Sequence, residues 1–198
     1  MKLIGITGPS GSGKSILSDH WRKAGYACLD ADRIYHEMLL PPSPCVSAIA
    51  NVFGSELLLP DGTLDRKALA EKVFDDSTAL QKLNETVLPL VIEEIKNRIN
   101  LLCLRGEKVV VLDAPTLIES GFHRFCDVVI TVIAPEEERL VRIMERDSLD
   151  RASATHRISA QQKEEFYIGE SDLVIYNDRS PEELCRAGDT VLHEVLVL

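Results

Sequence analysis

The segment Gly8-Pro9-Ser10-Gly11-Ser12-Gly13-Lys14-Ser15 fits Gly-x4-Gly-Lys-Ser without a mismatch, and it constrains the chain more than any other stretch. A loop of this kind closes around a phosphate when a buried strand delivers it and a helix begins at its end. Residues 2–6 form a short apolar run, and residues 15–24 carry Ile16, Leu17, Trp21 and Ala24 at roughly helical spacing, so both flanks are present. Glycines let consecutive main-chain N–H groups turn inward at an anion, and the following helix adds its positive end. Gly8 opens the turn, and Gly11, Ser12, Gly13, Lys14, Ser15 and Ile16 are expected to supply the amides. The Lys14 ammonium then bridges β and γ oxygens of a nucleotide such as ATP, and the Ser15 hydroxyl holds magnesium. The bland alternative is a glycine-rich turn whose lysine is only a solvated charge, which leaves the strand before it and the helix after it to coincidence.

Strand-like runs return at residues 26–29, 108–112, Val128–Ile133 and Leu173–Tyr176. Those at 108–112 and Val128–Ile133 are continuous Val/Ile/Leu, the pattern of strands buried on both faces of a parallel sheet. Between residues 33 and 106 the period is helical, broken by Pro41-Pro42-Ser43-Pro44 and Pro60-Asp61-Gly62. Asp65 is expected to cap a helix over Arg66–Phe74 and Ser77 another beginning near Thr78. A longer helix is expected after Pro89, ending at Gly106. Pro135 suits the first turn of a helix running to about Asp147; further helices are expected over 152–166 and from Pro181. Strands alternating with helices imply a doubly wound α/β fold with right-handed crossovers and a site at the carboxyl ends of the strands.

The 198 residues carry a formal charge of -10, which disfavours binding to nucleic-acid backbones and leaves anion recognition to a local pocket. No run approaches the roughly 20 apolar residues of a membrane span, and the first residues lack a signal sequence's apolar core. Cys28, Cys45, Cys103, Cys126 and Cys185 are scattered and contain no Cys-x-x-Cys pair, so they read as reduced packing residues, in keeping with a cytoplasmic protein. The five histidines show no metal-ligand spacing and read as surface or packing residues.

Other positions carry possible chemistry. Asp113 follows four apolar residues, the pattern of an acid that holds a magnesium-bound water opposite the loop serine, which is the preferred reading; the alternative is a cap on a turn ahead of Pro115. Asp30 and Asp32 close the second strand, where one can accept the proton of an attacking hydroxyl and either can cap a helix beginning near Arg33. Asp32 is the preferred functional candidate. Arg139, Arg142 and Arg146 stand at i, i+3 and i+7 on one helix face, with Arg157 on the next helix. Such arginines stabilise a transferring phosphoryl group when a lid closes, or else form a solvated face paired with Glu136, Glu138 and Glu145.

Taken in order, these segments resemble the dephospho-CoA kinases, which phosphorylate the ribose 3'-hydroxyl of dephospho-coenzyme A in the last step of CoA synthesis. The resemblance covers nearly the whole chain. Ile6-Thr7 with the loop, Leu29-Asp30-Ala31-Asp32 with Arg33-Ile34-Tyr35-His36, and Asp113-Ala114-Pro115 with Leu117 and Glu119 are similar to the family's first, second and Walker B segments. Gly62-Thr63-Leu64-Asp65-Arg66 with Leu69, Val73, Leu83-Asn84 and Pro89 resembles its helical insertion. Arg142, Arg146-Asp147, Arg157-Ile158, Gln161 and the stretch from Ser171 to Asn177 keep the spacing of its lid and adenine-side loop. Three departures stand out: Pro9-Ser10 where Gly-Ile is usual, Leu88 where a histidine is common, and Thr116 where a leucine is usual.

The resemblance implies a P-loop kinase three-layer fold with a central parallel sheet. Its nucleotide-binding core is expected at residues 1–32, 106–138 and 167–198, a helical CoA-binding insertion at 33–105 and a helical lid at 139–166. It implies ATP and dephospho-CoA as substrates, Mg2+ held by Ser15 and Asp113, and catalysis by Lys14, Asp32, Arg142 and Arg146. Arg157 and Asn177 are expected on the nucleotide. A monomer accommodates this reading, and neither nucleic acid nor membrane is called for. The rivals are a P-loop kinase for another small acceptor, such as a nucleoside, and a nucleotide-binding regulatory module without transfer activity.

Overall fold

The computed structural model describes residues 1–74 and 76–197. They form two compact units, Met1–Asp30 with Leu102–Leu198, and Ala31–Leu101. The strands are β1 (Lys2–Thr7), β2 (Ala27–Asp30), β3 (Val109–Asp113), β4 (Val128–Ile133) and β5 (Leu173–Tyr176). The helices are α1 (Lys14–Lys23), α2 (Ala31–Met38), α3 (Pro44–Phe53), α4 (Arg66–Phe74), α5 (Ser77–Leu104), α6 (Glu136–Asp147), α7 (Arg151–Ser159), α8 (Glu164–Gly169) and α9 (Pro181–Val197).

In the first unit the strands pair in parallel in the order β2-β3-β1-β4-β5. β1 is the central strand, with Ile6 in register with Asp113 of β3 and Thr7 with Thr131 of β4. The chain winds to β2 and β3 on one side of β1 and to β4 and β5 on the other, so the switch point lies where β1 ends. Successive residues of a strand face opposite sides, and both sides are covered. Val132 and Ile175 join Ile4, Ile6, Leu17, Trp21, Leu184 and Leu192 beneath α1 and α9. Ile133 and Val174, the adjacent residues, pack with Ile118 and Tyr167 under α8. This is why the strands read as unbroken apolar runs. Gly188 lets α9 approach α1 closely, since a Cβ there would stand 2.2 Å from Leu17 Cδ1.

The second unit is helical, with a core of Leu39, Cys45, Val46, Ile49, Phe53, Leu57, Leu64, Leu69, Val73 and Val87. Asp65 caps α4 as expected, accepting the Lys67 and Ala68 N–H groups at 3.1 and 3.0 Å. Two expectations fail here. The cap of α5 is Asp76, not Ser77: its Oδ1 accepts from Thr78 at 2.9 Å and Ala79 at 3.0 Å. Nor does Pro89 start a helix, because α5 runs through it. Val87, Leu90 and Val91 pack into the same cluster on both sides of the proline, and that packing outweighs one missing hydrogen bond.

Three further corrections concern helix limits and a cysteine. Helix α2 starts at Ala31, so Asp32 occupies its first turn rather than its cap. The expected helix over 152–166 is two helices, α7, capped by Asp150, and α8, and the break between them seats Gln161 against Ser10. All five cysteines are free thiols, but Cys103 is exposed and packs no core. Among the described residues no helix is long and apolar enough to cross a membrane.

Candidate active site

β1 ends at Thr7 in the middle of the sheet, and residues 8–13 turn back before α1 begins. Gly8, Gly11 and Gly13 take φ of +134°, +78° and +104°. A Cβ on Gly8 would stand 2.2 Å from the Val132 carbonyl oxygen and one on Gly13 2.4 Å from Asn177 Nδ2, so neither position accepts a side chain. Gly13 precedes α1 without any side-chain cap, which leaves the positive end of that helix to the loop. The amides expected to bind phosphate do not all play one part. Ser12 N–H closes on the Pro9 carbonyl at 3.2 Å and Ile16 N–H on Gly13 at 3.0 Å, so these two shape the turn.

The carbonyls of residues 8–12 are held one after another by side chains. Lys14 is 8% exposed, and its Nζ donates to Gly8 at 2.7 Å and to Pro9 at 3.1 Å. Arg139 Nε donates to Ser10 at 3.0 Å, Arg142 Nη1 to Gly11 at 3.1 Å, and Asn177 Nδ2 to Ser12 at 2.7 Å. In a trans peptide the carbonyl and the next N–H point in opposite directions. Securing the Ser10, Gly11 and Ser12 carbonyls therefore fixes the direction of the Gly11, Ser12 and Gly13 amides. The buried Ser12 hydroxyl has no hydrogen-bond partner among the described residues, an unsatisfied group of the kind that a bound ligand satisfies.

Arg139, Arg142 and Arg146 share the face of α6 that the sequence spacing predicted, and it is the face turned to the loop. Arg146 Nη2 lies 3.4 Å from Ser10 Oγ. Glu138 holds Arg142 at 2.6 Å, while Asp147 accepts from Arg146 at 2.8 Å and from Arg157 at 2.7 Å. The Arg146 hydrogen bond first, with the charges of Arg146 and Arg157, holds the Asp147 carboxyl below the ordinary aspartate range. Arg157 thus shares the Asp147 carboxylate with Arg146, which in turn meets Ser10. Arg139 is the most buried of these four arginines at 8% exposure; desolvation lowers its pKa, opposed by Glu136, Tyr167 and Glu164. Nearby, burial and the Glu119 carboxylate push the Tyr167 hydroxyl up to about 12.

Asp113 ends β3 at 7% exposure and accepts the Ser18 hydroxyl at 2.7 Å. Asp30 is its register partner on β2, so two acids stand side by side at the carboxyl edge of the sheet. Ser15 is exposed on the first turn of α1, and Ser18, one turn further, donates to its carbonyl at 3.3 Å. Asp32 is exposed on α2 in the second unit.

A family model described as dephospho-CoA kinase matches residues 2–183. The chain belongs to the dephospho-CoA kinase family. A dephospho-CoA kinase of Corynebacterium glutamicum is 36% identical over 198 residues, covering 99% of this chain and 98% of that protein. A solved structure from Thermus thermophilus, 34% identical, superposes with a TM-score of 0.81 over 98% of this chain and 97% of that one. The dephospho-CoA kinase from Campylobacter jejuni is 27% identical, with a TM-score of 0.74 and 98% of each chain covered.

In this dephospho-CoA kinase family member the fold gathers Gly8, Gly11, Ser12, Gly13, Lys14, Arg142, Arg146 and Asn177 around one loop. Sequence reasoning did not select Ser18; it weighed Arg139 among the helix-face arginines and matched Gln161 to the family's lid spacing, but assigned neither a place against the loop. Ser18 was findable as the position one helical turn after Ser15. Arg139 offered only its place on a basic helix face, which solvated arginines share, and the spacing that marked Gln161 does not say that it meets Ser10.

Proposed function

We propose that the protein transfers the terminal phosphoryl group of ATP to the ribose 3'-hydroxyl of dephospho-CoA, yielding ADP and CoA. The observation that carries the reaction type is the loop, whose carbonyls at residues 8–12 are secured by its own Lys14 and, from outside, by Arg139, Arg142 and Asn177. Family membership over residues 2–183 supports the choice of acceptor.

In this reading Lys14 exchanges its carbonyl partners for β and γ oxygens, which need no new backbone conformation to receive it. Arg142 and Arg146 turn from Gly11 and Ser10 to the charge spread over the transferring group. Arg157 joins the lid over the nucleotide, and Asn177 serves the nucleotide side through the loop it braces. Asp32 accepts the proton of the acceptor hydroxyl. Residues 33–105 form the acceptor-binding insertion and 139–166 the lid that excludes water; residues 1–32, 106–138 and 167–198 form the nucleotide-binding core. The Ser15 hydroxyl and the Asp113 carboxylate are hard oxygen donors of the kind Mg2+ selects, and they would hold it. When bound, Mg2+ neutralises charge on the β- and γ-phosphates. Free thiols and a net charge of -10 suit the reducing, crowded cytoplasm.

The deciding experiment is ADP release by purified protein, with dephospho-CoA and a panel of nucleosides as acceptors. Release that rises with dephospho-CoA and not with nucleosides is expected. A stronger response to a nucleoside, or release indifferent to any acceptor, would overturn the assignment.

A further inference from the structure

An arginine that is 8% exposed needs a reason to be there. Removing it from water is expensive unless its donors are well used, and an apolar side chain of similar length usually packs as well or better. Arg139 Nε donates to the Ser10 carbonyl at 3.0 Å, and its Nη2 donates to Gln161 Oε1 at 3.1 Å. The same Gln161 oxygen accepts the Ser10 N–H at 3.1 Å. Both backbone groups of one loop residue are thus held by one arginine–glutamine pair. The backbone of α6 lies against the neighbouring residue as well: a Cβ on Gly11 would stand 2.8 Å from the Arg139 carbonyl oxygen.

We infer that Arg139 and Gln161 act together as positioning residues, Gln161 holding Arg139 and the Pro9–Ser10 peptide while Arg139 sets the Ser10–Gly11 peptide so that the Gly11 N–H faces the phosphate. The pair rests on the kinase reading above, but its role differs from that of Arg142 and Arg146. Those arginines hold their loop contacts from partly exposed positions and can turn to a substrate, whereas Arg139 keeps its bonds to the loop throughout. Gln161 sits in the break between α7 and α8, so the pair also ties the lid's distal turn to the loop. The lid and the phosphate site therefore share a fixed anchor at Ser10.

The test uses Arg139→Met, Arg139→Lys, Gln161→Ala and the Arg139→Met/Gln161→Ala double variant, with ADP and Mg2+ titrated by calorimetry and KM measured for each substrate. Arg139→Met should weaken ADP binding and raise the ATP KM roughly tenfold, the scale of a lost charged hydrogen bond. The dephospho-CoA KM should stay within about twofold, because only nucleotide binding uses the loop. Arg139→Lys should recover part of the loss by restoring one donor. Gln161→Ala should weaken binding less, and should add almost nothing to Arg139→Met, because the two side chains are bonded to each other and hold the same residue, which couples their losses. Unchanged ADP affinity in folded Arg139→Met, additive losses, or an equal rise in the dephospho-CoA KM would each overturn the pair's role. Should Arg139→Met fail to melt cooperatively, Arg139→Lys and Gln161→Ala decide on the same criteria. The calorimetry needs no acceptor, so a wild-type protein that binds ADP but ignores dephospho-CoA refutes the proposed reaction while still testing the clamp.

Discussion

Lys14 and Gly13 make the same point from opposite directions: a phosphate loop is a backbone held in a shape that side chains must not disturb and a few must maintain. The Lys14 ammonium already lies along the Gly8 and Pro9 carbonyls, so its charge is delivered before a nucleotide arrives. Lys14→Ala should lower turnover by roughly a hundredfold or more. Its stability should fall by only about 1 kcal/mol from the two carbonyls left without that donor. Steady-state kinetics alongside a thermal melt checks both, and near-normal turnover would end the proposed mechanism. Gly13→Ala acts through geometry instead. Its Cβ would meet Asn177 Nδ2 at 2.4 Å with φ at +104°, so it should destabilise the fold by about 1–3 kcal/mol. It should also push Asn177 off the Ser12 carbonyl, and a urea titration with a nucleotide-binding isotherm would reveal the paired loss.

Among the elements, helix ends were where local rules served least well. Both Asp76 and Ser77 are acceptable cap residues, and the sequence offers no way to rank adjacent candidates; the structure gives both N–H bonds to Asp76. Asp76→Ala should therefore cost about 1 kcal/mol, and Ser77→Ala less than about 0.5 kcal/mol, read as shifts in the urea midpoint. The clasp between α6 and α7 carries a pH dependence. Asp147 is held below its ordinary pKa by Arg146 and Arg157, so its contribution is present above the unfolded value of about 3.9 and lost as pH falls through the lower folded value. The wild type should melt above Asp147→Asn at pH 7 and pH 5 by under about 1 kcal/mol, and the two should converge below about pH 4. A gap that persists into strong acid would mean Asp147 works through packing rather than charge.

For the whole molecule, nucleotide binding and stability are linked through the first unit. With Mg-ATP at 100 times its Kd, unfolding should cost about 2.7 kcal/mol more, and the gain should vanish in Lys14→Ala; a melt that ignores ATP in the wild type would contradict this. The same scale explains what was legible in advance. The glycine loop, the five strands and most helices are governed by contacts within a few residues: φ values open only to glycine, alternation imposed by burial, breaks imposed by Pro and Gly. These were readable from the chain alone, as was the line of arginines on α6. What holds the loop in shape was not, because Arg139, Gln161 and Asn177 meet Ser10 and Ser12 across 129, 151 and 165 residues of sequence. Local patterns cannot say which distant donor meets which carbonyl. That was decided when parallel pairing set β4 beside β1 and β5 beside β4, bringing the start of α6 and the turn after β5 to the end of the central strand.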